Sequence, residues 1–147
     1  VVIILDEAHL LEKETIEEFR FLLNYRFDSM SPMALVLVGQ NELWDKLNLQ
    51  RYAAVKQRID INCVLPRLDR SETGLYIQAH LAYAQGRQDI FTDSAVDNVF
   101  KASSGIPRMI NRVCEKSLMY AFQQNKRLID DSMVRFVTEH EMLKVSE

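Results

Sequence analysis

The first nine residues, Val1-Val2-Ile3-Ile4-Leu5-Asp6-Glu7-Ala8-His9, constrain this chain more than any other stretch. Five consecutive apolar residues, four of them β-branched, predict a strand buried on both faces. Two carboxylates follow at once. In open parallel α/β sheets, ligands bind beyond the carboxyl ends of the strands, so Asp6 and Glu7 stand where charge can do chemistry. The plain alternative is a strand leaving a core, with Asp6 capping a helix. The rest of the chain has to decide between them.

Length limits the answer to one domain-sized piece, since 147 residues can bury a single sizeable core. A net charge of −3 argues against a whole surface devoted to nucleic acid, though it leaves room for a local basic patch. Cys63 and Cys114 are far apart, lack metal-ligand spacing and lie in apolar-periodic segments. Both are expected to be buried thiols in a reducing compartment. No apolar run is long enough to span a bilayer, and no signal peptide precedes the first strand, so a cytoplasmic location is expected. Because the chain starts inside a core strand, it reads as a fragment of a longer protein.

Helical spacing follows from Leu10 to Asn24, with Leu11, Ile16, Phe19, Leu22 and Leu23 apolar and Glu12, Glu14, Glu17 and Glu18 on the other face. Residues 26–32 carry loop signals. Leu35-Val36-Leu37-Val38 predicts a second buried strand, ending at Gly39, which permits close backbone approach, and Gln40, which places an amide at the sheet edge. Leu43, Trp44 and Leu47 resume a helical pattern, and a short helix is predicted over 52–58. The alternation of residues 59–65 predicts a third strand, closed by Pro66.

From Asp69 the texture is helical only. Asp69 and Glu72 have capping-box spacing. Thr92 caps a helix burying Ala95, Val96, Val99 and Phe100, which Ser103-Ser104-Gly105 ends. Pro107 suits the first position of the next helix. That helix is expected to bury Met109, Ile110, Val113, Leu118 and Phe122. Asp130 or Asp131 starts a last helix carrying Val134, Phe136 and Val137.

An apolar strand ending in Asp-Glu is the Walker B pattern of nucleotide-hydrolysing P-loop proteins, whose Asp holds Mg²⁺ and whose Glu polarises water. Three further places join it. Gln40 tips the second strand. Gln57-Arg58-Ile59 puts an arginine at a helix end, with Arg51 as its competitor. In Gly105-Ile106-Pro107-Arg108-Met109-Ile110-Asn111-Arg112, Arg108 falls in a first helical turn, where the dipole disfavours cations. Arg112 and Lys116 continue one basic face at i+4 and i+8. Such a broken local rule often marks a functional site.

In this order the motifs resemble the C-terminal part of an AAA+ ATPase module over the whole chain, most of all the general secretion pathway protein A branch. The transposition helper ATPases are similar. The resemblance implies an α/β class: a partial AAA+ core over 1–68, with a three-strand parallel sheet lacking its central phosphate-loop strand, then an all-α helical lid over 69–147. It implies ATP and Mg²⁺ as cofactors of the full-length protein. Asp6 would hold the metal through water and Glu7 would position the attacking water. Gln40 would be the sensor-1 group, Arg58 the arginine finger reaching a neighbouring subunit's ATP, and Arg108 sensor 2. A finger supplied in trans implies head-to-tail self-association.

One departure from the family pattern matters. No Gly-x-x-x-x-Gly-Lys-(Ser/Thr) occurs among the four glycines. Without that nest of N–H groups and its lysine, this chain alone is expected to be inactive. The implied task of the full protein is remodelling of a partner complex, with a protein partner, and with DNA only in the transposition reading. Asp-Glu-Ala-His is also similar to motif II of DEAH-box helicases, but Val38-Gly39-Gln40-Asn41 is not the Ser-Ala-Thr-like motif that reading needs. A non-enzymatic alternative makes the helical part a partner-binding module, with Met109, Met119, Met133 and Met142 as an adaptable surface. His9 reads as a surface or interface residue.

Overall fold

The computed structural model describes the backbone of residues 1–23 and 33–141, with side chains described for 1–19 and 33–141. The predicted loop over 26–32, Leu22, Leu23 and Met142 therefore lie outside the described side chains. The chain divides into two compact units, Val1–Val64 and Leu65–Glu147.

In the first unit, β1 (Val2–Leu5) pairs in parallel with β2 (Ala34–Leu37), in the register Val2 to Ala34 through Leu5 to Leu37. A 3-10 turn at Ala8–Leu10 leads into α1 (Lys13–Leu23). After β2 come α2 (Asn41–Leu47), a 3-10 turn at Gln50–Tyr52, and α3 (Ala53–Lys56). Ala8, Ile16, Leu43, Leu47, Tyr52 and Val55 form the core of this unit, with Leu37 and Trp44 packed against it. In-register pairing puts Val2, Ile4 and Val36 on one sheet face and Ile3, Leu5 and Leu37 on the other.

Two expectations fail here. Among the described residues the sheet has two strands, not three. Residues 59–65 form no ladder: only Ile59 packs on the core, while Ile61, Val64 and Leu65 are exposed. Alternation prepares a segment to lie in a sheet, but the hydrogen bonds must come from an adjacent strand, and no described strand stands beside this one. Nor is β1 buried on both faces, since Val2 and Ile4 are each 65% exposed. Cys63, on the same unpaired segment, is exposed rather than buried.

The second unit holds four helices: α4 (Arg70–Tyr83), α5 (Asp93–Ser103), α6 (Pro107–Gln123) and α7 (Asp131–His140). Asp69 Oδ1 accepts from the Glu72 N–H while Glu72 Oε2 accepts from the Asp69 N–H, both at 2.8 Å, so the capping box is complete. Thr92 Oγ1 accepts from the Ala95 N–H at 3.2 Å. Asp130, rather than Asp131, caps α7 by accepting from the Met133 N–H at 3.0 Å. The Ser132 hydroxyl and that N–H hold the Asp130 carboxyl below the usual carboxylate range.

Gly105 ends α5 for a steric reason. Its φ is +71°, and an added Cβ would stand 1.9 Å from the Leu68 carbonyl oxygen. The gap instead accommodates the Leu68 N–H, which donates to the Gly105 carbonyl at 2.9 Å. Ile77, Val96, Val99, Ile110, Val113, Ile129 and Val134 make the core. The buried side of α6 is Ile110, Val113, Ser117 and Ala121. Leu118 and Phe122, expected inside, are exposed. The neighbouring helices pack where α6 carries small residues, and its bulkier side chains point away from the core.

Candidate functional site at the strand tips

The acidic pair leaves β1 through an abrupt turn. Glu7 adopts the left-handed conformation, φ 53° and ψ 31°, which costs a non-glycine residue about 1–2 kcal/mol. Asp6 Oδ1 accepts from the Glu7 N–H at 2.8 Å and so holds that turn. The strands stay joined beyond the sheet: the Val38 N–H donates to Leu5 at 2.9 Å, and the Ala8 N–H donates to Val38 at 2.8 Å. Both carboxylates are exposed at the carboxyl edge, where a parallel sheet presents ligand-binding groups.

His9 connects the two strand tips. Its Nε2 stands 3.5 Å from Glu7 Oε2, and its Nδ1 accepts from the Gln40 N–H at 3.4 Å. With Nδ1 facing the Gln40 N–H, the other ring nitrogen, Nε2, faces the Glu7 carboxylate. Gly39 makes this approach feasible, because a Cβ there would meet the His9 nitrogen and Leu43 Cδ2, each at 3.1 Å. From α2, Lys46 Nζ donates to the carbonyls of Leu11 at 2.6 Å and His9 at 3.2 Å, tying the 3-10 turn to the helix behind it. Gln40 is the N-cap residue of α2 but makes no side-chain cap bond, so its exposed amide is not committed to the helix.

The structure thus gathers Asp6, Glu7 and Gln40 at one edge, joined by a histidine that sequence reading left as a surface or interface residue. The signal was the close approach allowed by Gly39, just beyond the end of β2, but it did not say what approaches. Arg58 follows α3, and its Nη1 donates to the Ala54 carbonyl at 3.2 Å on its own helix. Arg51 lies over the Tyr52 ring, 5.1 Å from its centroid. Arg108 belongs to the helical unit, exposed in the first turn of α6, where no acidic residue offsets it.

The donor set fits one end of a metal–triphosphate complex. Among the described residues, no group of three or more His, Cys, Asp or Glu could cage a metal ion. Mg²⁺ needs no such cage, because it keeps several waters and takes one or two carboxylates plus substrate phosphates. The phosphate-gripping loop, by contrast, is not in this sequence.

Known proteins resemble this chain in fold and in sequence. A family described as "AAA domain" matches residues 1–47. RuvB of Thermotoga maritima, described as a Holliday junction branch migration motor, superposes with a TM-score of 0.71 at 20% identity, covering 94% of this chain and 43% of RuvB. A single-residue variant of that RuvB gives a TM-score of 0.73 over the same shares. The chain therefore shares the fold of these RuvB structures. In sequence it is similar to General secretion pathway protein A of Aeromonas hydrophila, 33% identical over 128 residues, which is 87% of this chain. The chain spans 23% of that relative's length. Among the described residues no helix is long and apolar enough to cross a membrane.

Proposed function

We propose that this chain supplies the water-activating and nucleotide-sensing part of an AAA+ module that couples ATP hydrolysis to remodelling of a partner complex, in a protein like General secretion pathway protein A. The observation that carries the proposal is the histidine-linked cluster at the strand tips, which brings a carboxylate pair and an amide to one sheet edge. Asp6 keeps one carboxylate oxygen on its own turn and offers the other to a metal-bound water. Glu7 accepts the proton of the attacking water, and Nε2 of His9 orients that carboxylate. Gln40 contacts the terminal phosphate as sensor 1. Asp6 would hold a Mg²⁺ ion through water, and that ion would supply neutralisation of developing phosphate charge.

Arg58 is the proposed arginine finger, donated to a neighbouring subunit, with Arg51 as second choice. Arg108 is the proposed sensor 2. Lacking the phosphate loop, the chain by itself is inactive, and turnover belongs to the full-length protein. A transposition helper would use the same groups and would take DNA as its substrate partner.

The test is turnover and nucleotide binding in the full-length protein. Glu7→Gln is expected to lower turnover by about 10²–10⁴-fold while ATP still binds, the usual worth of a positioned general base. Normal turnover in that variant rejects the assignment. Arg58→Ala should abolish turnover and spare binding, whereas the same result from Arg51→Ala alone moves the finger to Arg51.

A further inference from the structure

The basic face of α6 is only partly used by the reading above, which involves Arg108 alone. In the helical unit, a cleft of about 500 Å³ opens between α5, α6 and α7. Three cations reach it from three different helices: Lys101 from α5, Arg112 from α6 and Arg135 from α7. Asn98, Met109 and Thr138 complete its walls. Among the described residues, no carboxylate lies within ion-pair distance of Lys101 or Arg112.

Several of the acids nearby are engaged, while Glu115 on α6 and Glu139 on α7 are exposed. Asp97, one turn before Lys101, pairs with Arg70 at 2.6 Å, and Asp93 lies 3.8 Å from the same guanidinium. Asp131 pairs with Arg135, its i+4 neighbour. Glu141 lies 3.9 Å from Lys116, further along α6. No carboxylate residue lines the cleft, and of its three cationic residues only Arg135 has an ion-pair partner, Asp131. Gathering like charges stabilises nothing in the fold, and the unit's core is built from other residues.

The remaining polar groups narrow the ligand. The Asn98 Nδ2 donates to the Asp131 carbonyl at 3.3 Å. The Thr138 hydroxyl lies 3.0 Å from the Val134 carbonyl and 2.9 Å from that of Arg135. What the cleft offers is cationic donors at an otherwise largely apolar lining that includes Ala102 and Met109. A phosphodiester backbone brings only acceptors and matches that supply. An acidic peptide also brings backbone N–H donors, for which the cleft has little to give. Arginine's fork suits phosphate oxygens in particular.

We infer that the α5–α6–α7 cleft binds the phosphate backbone of nucleic acid, through Lys101, Arg112 and Arg135. Recognition is of charge and not of sequence, since nothing in the cleft reads base edges. The site is independent of the strand-tip cluster, and neither depends on the other being right.

Fluorescence anisotropy of the 147-residue chain with a labelled mixed-sequence duplex tests it. Affinity is expected to fall with salt along a log–log slope of about −3, from three phosphate contacts at about −0.9 each. The Lys101→Glu, Arg112→Glu double variant should bind at least about tenfold more weakly, with an unchanged circular-dichroism melt. Arg87→Glu, whose parent side chain pairs with Asp89 outside the cleft, should bind normally. Absence of duplex binding overturns the inference, as does equal loss in the Arg87 variant. Tighter binding of a polyglutamate peptide of matched charge also overturns it, in favour of an acidic protein partner.

Discussion

In the helical unit Val99, Ile110, Val113, Ile129 and Val134 are fully buried, whereas in the α/β unit Val36 and Val38 are 42% and 44% exposed beside the still barer Val2 and Ile4. The first set comes from α5, α6, α7 and the segment leading into α7, which close on one another. The second lies on a sheet covered on one face only. Apolar sequence is equally dense in both places, so hydrophobicity alone does not report burial. Helices can bury a stripe against one another, but a two-stranded sheet needs a layer on each side.

The cysteines give that contrast its largest expected effect. Burial pushes the Cys114 thiol up to about 12, from an ordinary value of 9.0, while Cys63 is exposed. With a thiol-specific reagent at pH 8, Cys63 should react at once. Cys114 should react about a thousandfold more slowly than a free thiol, until denaturant is added. The shift also sets a pH dependence. Above about 9 an unfolded Cys114 ionises while the folded one keeps its proton, so stability is full below that pH and falls as pH rises towards about 12. Two fast thiols in the native chain would show that the helical core is not closed.

Backbone comes next. Gly105→Ala forces a methyl into the Leu68 carbonyl at a positive φ, and should cost about 3 kcal/mol or more in thermal melting. The smallest effects form a paired measurement. Ile110→Ala is expected to cost about 2–5 kcal/mol, and Ile4→Ala within about 0.5 kcal/mol in this chain. Equal losses would mean that the open sheet face is covered in solution, by self-association for example, which sedimentation at several concentrations would reveal.

Much of this was legible from residue types. The parallel strand pair, the Asp69–Glu72 box, the break at Gly105 and the start at Pro107 all follow from local chemistry that needs no partner. The third strand did not materialise, because alternation at residues 59–65 describes two side-chain faces and says nothing about a neighbouring ladder. The α6 face was misjudged at Leu118 and Phe122, because Ser117 and Ala121 admit the close packing that bulky residues prevent. At the site, Asp6, Glu7 and Gln40 were readable as a motif. The role of His9 was not, because it depends on two strand tips meeting across 31 positions of sequence.

That meeting has a mechanical consequence. At Gly39 a Cβ would press on the His9 backbone nitrogen at 3.1 Å and touch the ring at 3.4 Å, so the two tips sit like a latch on its striker. A shift at residue 40 bears on the ring that faces the Glu7 carboxylate. What touches one tip is thereby felt at the other, without any larger movement of the sheet.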